Sequence, residues 1–172
     1  MGLFRRFKHD RRGVSAIEFA FIAPILIIIY FSVAELCQAM LAQRKVAHAA
    51  SAVGDLVAQL STTNKAGLAD VLEAANTVVA PFPSAPLQIQ ISSVSADAND
   101  NTTVAWGYPT NNSGTAVVLP PNLITANQTV IKAEVTYTYN SPFQYLFKNA
   151  IVFDQVFYLR PRLSTSVVCT DC

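Results

Sequence analysis

A single acidic residue lies near the start of a long apolar stretch, within the sequence RRGVSAIEF at residues 11–19. The acid is Glu18, and residues 19–34 carry no charge. A carboxylate in a membrane helix costs on the order of 2.5–3.5 kcal/mol at the bilayer centre and less near its edge. Glu18 therefore either reaches the cytoplasmic headgroups or has a positively charged partner that offsets this cost.

Gly13 precedes Glu18 by five positions and follows a basic leader. These residues resemble the cleavage site of type IV prepilins, in which a glycine precedes four mostly apolar residues, a glutamate and usually an aromatic or apolar residue. The resemblance implies that a prepilin peptidase cuts between Gly13 and Val14. The new amino group of Val14 would then lie near Glu18 of its own or a neighbouring helix and would offset much of the cost of burying the acid.

A longer stretch, from Gly13 to Ala39, resembles the TadE-like family of the tight-adherence (Tad, or Flp) pilus apparatus. The features shared with this family are a leader with arginines, the pair Glu18-Phe19, the step Ala23-Pro24 and a second glutamate, Glu35, where the span ends. The resemblance implies a minor pilin or pseudopilin of a type IVc pilus, acting in pilus biogenesis and adhesion. The residues that it implies are Gly13 and Val14 for processing, and Glu18, Phe19, Pro24 and Glu35 for assembly.

The partners implied by this resemblance are the prepilin peptidase, other Tad pilus components and pilin-like subunits. Two other functions remain open. Residues 32–34, Ser-Val-Ala, satisfy the small-residue rule for an ordinary signal peptidase, which would release a secreted binding or adhesion module. An uncleaved chain would be a membrane-anchored scaffold. Against the secreted module, the helical pattern continues through this point and Glu18 fits poorly in a signal peptide.

The pair Cys169 and Cys172 is the other candidate for chemistry. Outside the cytoplasm, the expected state of such a pair is a small disulfide loop that holds the C-terminal segment. A redox-active pair would normally open a helix, and no helical pattern follows this one. A metal site would need two more ligands, and the two histidines of the chain, His9 and His48, lie far away in sequence.

No catalytic site or cofactor site is predicted. The sequence contains none of the common nucleophile, zinc-protease or phosphate-binding motifs, and its six glycines are mostly unclustered. Residues 97–101 offer oxygen ligands but lack the spaced acids of a calcium loop, so a turn is expected there. We therefore expect a protein that is not an enzyme and that binds neither a cofactor nor a metal ion.

The residues from Val14 to Ala34 meet the length of roughly 20 residues that a bilayer requires. Five basic residues precede this span, whereas only Arg44 and Lys45 follow closely, which predicts a cytoplasmic N-terminus in the bacterial inner membrane and a periplasmic or extracellular C-terminal part. The net charge of +1 resides in the leader, so nucleic acid is not an expected partner. We predict four segments: a leader (1–13), a transmembrane helix (14–35), an extracytoplasmic helical part (36–80) and a β-rich head (81–172).

The predicted fold class is α+β, with a long transmembrane helix that continues into a stalk and a small antiparallel head, as in type IV pilins. A stripe of apolar residues extends the helix to Leu60 and is expected to pack on the head. Pro24 predicts a kink or an opened turn in this helix. A second helix ends before Pro81. Strands are expected at the four segments 87–92, 103–106, 129–139 and 163–168, and residues 143–157 form a helix followed by a strand, or a hairpin.

Overall fold

The computed structural model describes residues 13–172, so the predicted basic leader, apart from Gly13, lies outside the described residues. Two helices and six strands follow in order along this part of the chain. The helices are α1 (Val14–Ala58) and α2 (Lys65–Val79). The strands are β1 (Thr62–Thr63), β2 (Leu87–Ala96), β3 (Thr102–Tyr108), β4 (Thr129–Tyr139), β5 (Ile151–Leu159) and β6 (Val168–Cys169).

Four of the strands form an antiparallel sheet in the order β3-β2-β4-β5. The central strand β4 has the alternation of β-branched and aromatic residues that predicted it, and it is the longest strand at 11 residues. A separate parallel pair joins β1 to β6, which brings the C-terminal segment beside the start of α2. The predicted α+β class, with a long helix and a small antiparallel sheet, is confirmed.

The helix α1 has two halves with different surroundings. Up to Val33 its large apolar side chains are exposed except for the half-buried Phe31, and the part of the chain described contains one helix long and apolar enough to cross a membrane. The second half packs on α2, β4 and β5, as the expected packing on the head requires. Its buried residues are Glu35, Ala39, Ala42, Val46, Ala49, Ala50, Val53, Gly54, Val57 and Ala58.

The predicted apolar stripe packs on the head except for its first two residues, Leu36 and Met40, which are 45% and 47% exposed. Its other members are Val46, Ala50, Val53, Val57 and Leu60. The face that packs on the head instead begins with Glu35 and Ala39 and continues through small residues. Small side chains allow a helix to approach a sheet closely, and at Gly54 an added Cβ would collide with the side chain of Leu159. Close approach therefore explains the alanines and the glycine that lie between the predicted valines of this face.

The predicted strand at residues 163–168 is wrong, because only Val168 and Cys169 are in a strand. The carbonyl of Val167 accepts a hydrogen bond from the indole Nε1 of Trp106 at 2.7 Å instead of from a neighbouring strand. In the 143–157 region, an irregular loop precedes β5, and neither a helix nor a hairpin is present in it. We call residues 141–150, between β4 and β5, the β4–β5 loop.

The predicted turn at residues 97–101 joins β2 to β3. Asp97 accepts hydrogen bonds from the side chain and backbone of Asn101 and from the backbone N–H of Asn99. These bonds, those from Asn101 foremost, hold the pKa of Asp97 below its ordinary value. The carboxylate thus stabilises the turn that the sequence predicts.

Candidate assembly site on the long helix

The predicted processing residues lie at the exposed start of α1. Gly13 is the N-cap residue, and an added Cβ there would meet no atom within 4 Å. Val14, Glu18 and Phe19 are also exposed. A peptidase would therefore meet no packed side chain at the bond between Gly13 and Val14.

Pro24 lies within α1, whose helical assignment continues on both sides of the proline. Its ring removes one helical hydrogen bond, so this part of the exposed half is the weakest in backbone bonding. Neighbouring helices or local rearrangement accommodate prolines in membrane helices. The structure thus places Pro24 in the half of α1 that does not pack on the head.

The structure does not bring the two glutamates of the long helix together. Glu18 and Glu35 are 17 positions apart in one continuous helix, or about 25 Å at 1.5 Å per residue. Glu18 is exposed on the apolar half, whereas Glu35 is fully buried where the packed half begins. The two acids therefore have different surroundings and need different explanations.

Glu35 binds the backbone of the β4–β5 loop. Its Oε1 accepts a hydrogen bond from the N–H of Tyr145 at 2.8 Å, and its Oε2 accepts from Leu146 and Phe147 at 2.7 and 3.2 Å. Hydrogen bonds to an ionised carboxylate are roughly twice as strong as neutral ones. Glu35 thus fastens a loop 110 residues later in the sequence to the end of the predicted span.

Aromatic rings continue this contact one helical turn toward the N-terminus. The ring of Phe31 stacks on that of Tyr145, with centroids 5.8 Å apart, and contacts Phe143 at 5.4 Å. Phe31 and Glu35 are four residues apart and therefore lie on one face of the helix. Together they hold the β4–β5 loop by one apolar and one charged contact.

Tyr139, at the end of β4, lies close to this site. Burial, and secondly the negative charge of Glu35, raise the pKa of Tyr139 above its ordinary value. Its hydroxyl is buried and has no hydrogen-bond partner in the described part of the chain. The raised pKa favours the neutral form of the Tyr139 hydroxyl.

Cys169 and Cys172 are joined by a disulfide bond, with Cα atoms 5.7 Å apart. The loop that they close is tied to the start of α2, because Asp171 accepts a hydrogen bond from the N–H of Lys65 at 2.7 Å. A carboxylate at a helix N-terminus also interacts favourably with the helix dipole. Although Asp171 lies near both sulfurs, they are bonded to each other and offer no thiolate for a metal ion.

We expect that replacing Cys169 and Cys172 together by Ser lowers the free energy of unfolding of the head by about 2 kcal/mol, because so short a loop restricts the unfolded chain only modestly. Thermal unfolding monitored by the fluorescence of Trp106, the only tryptophan, measures this change. The matched control is Cys37→Ser, since Cys37 is an exposed free cysteine. Equal destabilisation of wild type and double variant by a reductant would contradict the prediction.

Sequence reasoning identified Glu35 but not its partners. The amides of Tyr145, Leu146 and Phe147 have no sequence signal, because every residue except proline has the same backbone N–H. The one signal available was Phe31, an aromatic residue one turn before Glu35, combined with the aromatic residues of the β4–β5 loop. Neither pattern by itself specifies the contact.

An exposed apolar helix that continues into the core of a small α+β head is the arrangement of a pilin-like protein with one candidate membrane span. Residues 13–55, about a quarter of the chain, match the model of the family described as TadE-like protein, which confirms the resemblance predicted from the sequence. The match includes Gly13, Glu18, Pro24 and Glu35. No curated protein and no solved structure is significantly similar to the chain.

Proposed function

We propose that the protein is a minor pilin or pseudopilin of a Tad (Flp) type IVc pilus assembly apparatus, acting in pilus biogenesis and surface adhesion. The observation that carries this proposal is the family match over residues 13–55, which covers both the exposed span and its continuation into the core of the head. Its role is structural, and its partners are the prepilin peptidase, other Tad components and pilin-like subunits.

The proposed location is the bacterial inner membrane, with the N-terminus in the cytoplasm and the head in the periplasm or incorporated in the pilus. The excess of basic residues before the span supports this orientation. The disulfide between Cys169 and Cys172 supports an oxidising compartment for the head. The proposed segments remain 1–13, 14–35, 36–80 and 81–172, although the 36–58 part of α1 shares one hydrophobic core with the sheet.

The burial of Glu35 supports this function over the secreted module. Cleavage after Ala34 would remove Phe31 and would turn Glu35 into the N-terminal residue, with a charged amino group on the residue that binds the β4–β5 loop. Cleavage after Gly13 leaves this site intact. The contacts thus argue against cleavage after Ala34.

The test is to determine the N-terminus and intact mass of the protein from membranes, with and without the prepilin peptidase. With the peptidase, we expect a mature chain that begins at Val14. Without the peptidase, we expect the uncut precursor to accumulate. A Gly13→Leu variant should accumulate as precursor even with the peptidase, because a large side chain replaces the exposed glycine beside the cleaved bond. Ser15→Ala is the matched control and should be processed normally.

A chain that begins at Glu35 would overturn the proposal in favour of a secreted module. An unprocessed chain in both strains would overturn the peptidase step and leave a membrane-anchored scaffold. Each of these outcomes assigns the protein to one of the alternatives that the sequence leaves open.

A further inference from the structure

The β4–β5 loop presents apolar side chains to the outside although its backbone is bound to α1. Phe143, Tyr145 and Leu146 are 43%, 60% and 49% exposed. On the helix, Tyr30, whose ring contacts that of Phe31, is also exposed. These side chains therefore extend the apolar surface of the predicted span sideways onto the head.

The loop has a fixed position relative to the span. The carboxylate of Glu35 and the ring of Phe31 hold it where the uncharged stretch of residues 19–34 ends. When α1 crosses a bilayer, this level of the helix lies at the outer interface between acyl chains and headgroups. The loop must then lie at the same depth.

The chemistry of the loop fits this interface. Tyrosine, whose ring is apolar and whose hydroxyl is polar, is enriched at membrane interfaces, and Tyr30 and Tyr145 both lie at this level. Lys148, exposed and near Phe147, is the only charged residue of residues 141–150. A lysine at this depth can reach lipid phosphates while its stem remains in the apolar layer.

We propose that the β4–β5 loop is a second membrane contact, with Phe143, Tyr145 and Leu146 inserted in the outer interface and Lys148 at the phosphates. The occupant of this surface is phospholipid, because the surface is continuous with the span and its one exposed charge is the lysine Lys148. The contact fixes the height and tilt of the head above the bilayer. It requires only that α1 crosses a membrane and is independent of any role in a pilus.

The test measures fluorescence quenching in proteoliposomes made with phosphatidylcholine brominated on its acyl chains. Tyr145→Trp places a reporter in the loop and retains an aromatic ring against Phe31. The wild type supplies the baseline, since its single tryptophan, Trp106, is buried in the head. The matched control is Val118→Trp, because Val118 is 97% exposed. It lies beside the end of the sheet where β2 connects to β3, and this end is remote from Glu35.

We expect quenching of the Tyr145→Trp reporter to exceed that of the Val118→Trp reporter roughly twofold or more, and to be strongest for bromines near the headgroups, as for an interfacial segment. Equal quenching of the two reporters overturns the proposal. A blue-shifted Tyr145→Trp emission that depends on protein density and is not quenched by brominated lipid assigns the surface to a second copy of the chain and also overturns it.

Discussion

Glu35→Ala should lower the melting temperature of the head by roughly 5–10 °C, because it removes the acceptor of three backbone N–H groups at once. A buried N–H that loses its acceptor costs on the order of 1–3 kcal/mol, and water recovers part of this at the exposed edge of the loop. Unfolding of the detergent-solubilised full chain, monitored by Trp106, gives the melting temperature. Hydrogen exchange at Tyr145, Leu146 and Phe147 gives the local effect.

Two further variants define what Glu35 contributes. Glu35→Gln keeps the shape of the side chain but replaces one acceptor oxygen by an NH2 group, which would face the backbone N–H groups of the loop. We therefore expect a loss of stability close to that of the alanine variant. Glu73→Ala, on the exposed side of α2, removes a glutamate without such contacts and should change the melting temperature little. Unchanged exchange and melting in Glu35→Ala would show that the carboxylate does not hold the loop.

Glu18→Ala should abolish most pilus assembly while it leaves membrane insertion intact. Its removal makes the span more apolar, so insertion is not weakened. Assembly loses the attraction between Glu18 and the amino group of Val14 in a medium of low dielectric constant, and we expect roughly a tenfold or greater fall in assembled pili. Counting pili by electron microscopy, alongside the amount of the protein in membranes, measures both effects.

The controls separate charge from packing. Glu18→Gln preserves the size of the side chain and removes only its charge, so it should assemble as poorly as Glu18→Ala. Ile17→Ala changes a neighbouring exposed side chain and keeps the charge, so it should assemble nearly normally. Normal pilus numbers in Glu18→Ala, at equal protein levels, would contradict a docking role for the acid.

The two glutamates of α1 show how two identical side chains acquire different roles. Glu18 lies among exposed apolar residues, and no ion pair within residues 13–172 involves it. Glu35 has all its partners within its own chain. The resemblance implies an assembly role for both, and the contacts in the structure add that Glu35 binds the β4–β5 loop to the helix.

The sequence by itself determined the features that depend on neighbouring residues. Four such features are local: the apolar length of the span, the spacing of Gly13 and Glu18, the period-two pattern of β4, and the spacing of Cys169 and Cys172. Hydrophobic periodicity also predicted that α1 extends beyond the membrane, and its observed end at Ala58 lies within two residues of the predicted one. The predictions of the long helix and of β4 are confirmed because the physical cause of each lies within one short segment, whereas the roles of Gly13 and Glu18 stay predictions.

Only the tertiary structure decided where the packed face of α1 begins and what Glu35 binds. The face begins with Glu35 and Ala39 rather than with Leu36 and Met40, and from Val46 to Val57 it is the predicted one. Residues 163–167 do not form a strand, and the carbonyl of Val167 accepts a hydrogen bond from the indole of Trp106 instead. Glu35 binds amides 110 or more positions away, and backbone N–H groups are alike in nearly every residue. Such contacts depend on where folding places the backbone, and the residue types of the partners do not reveal that position.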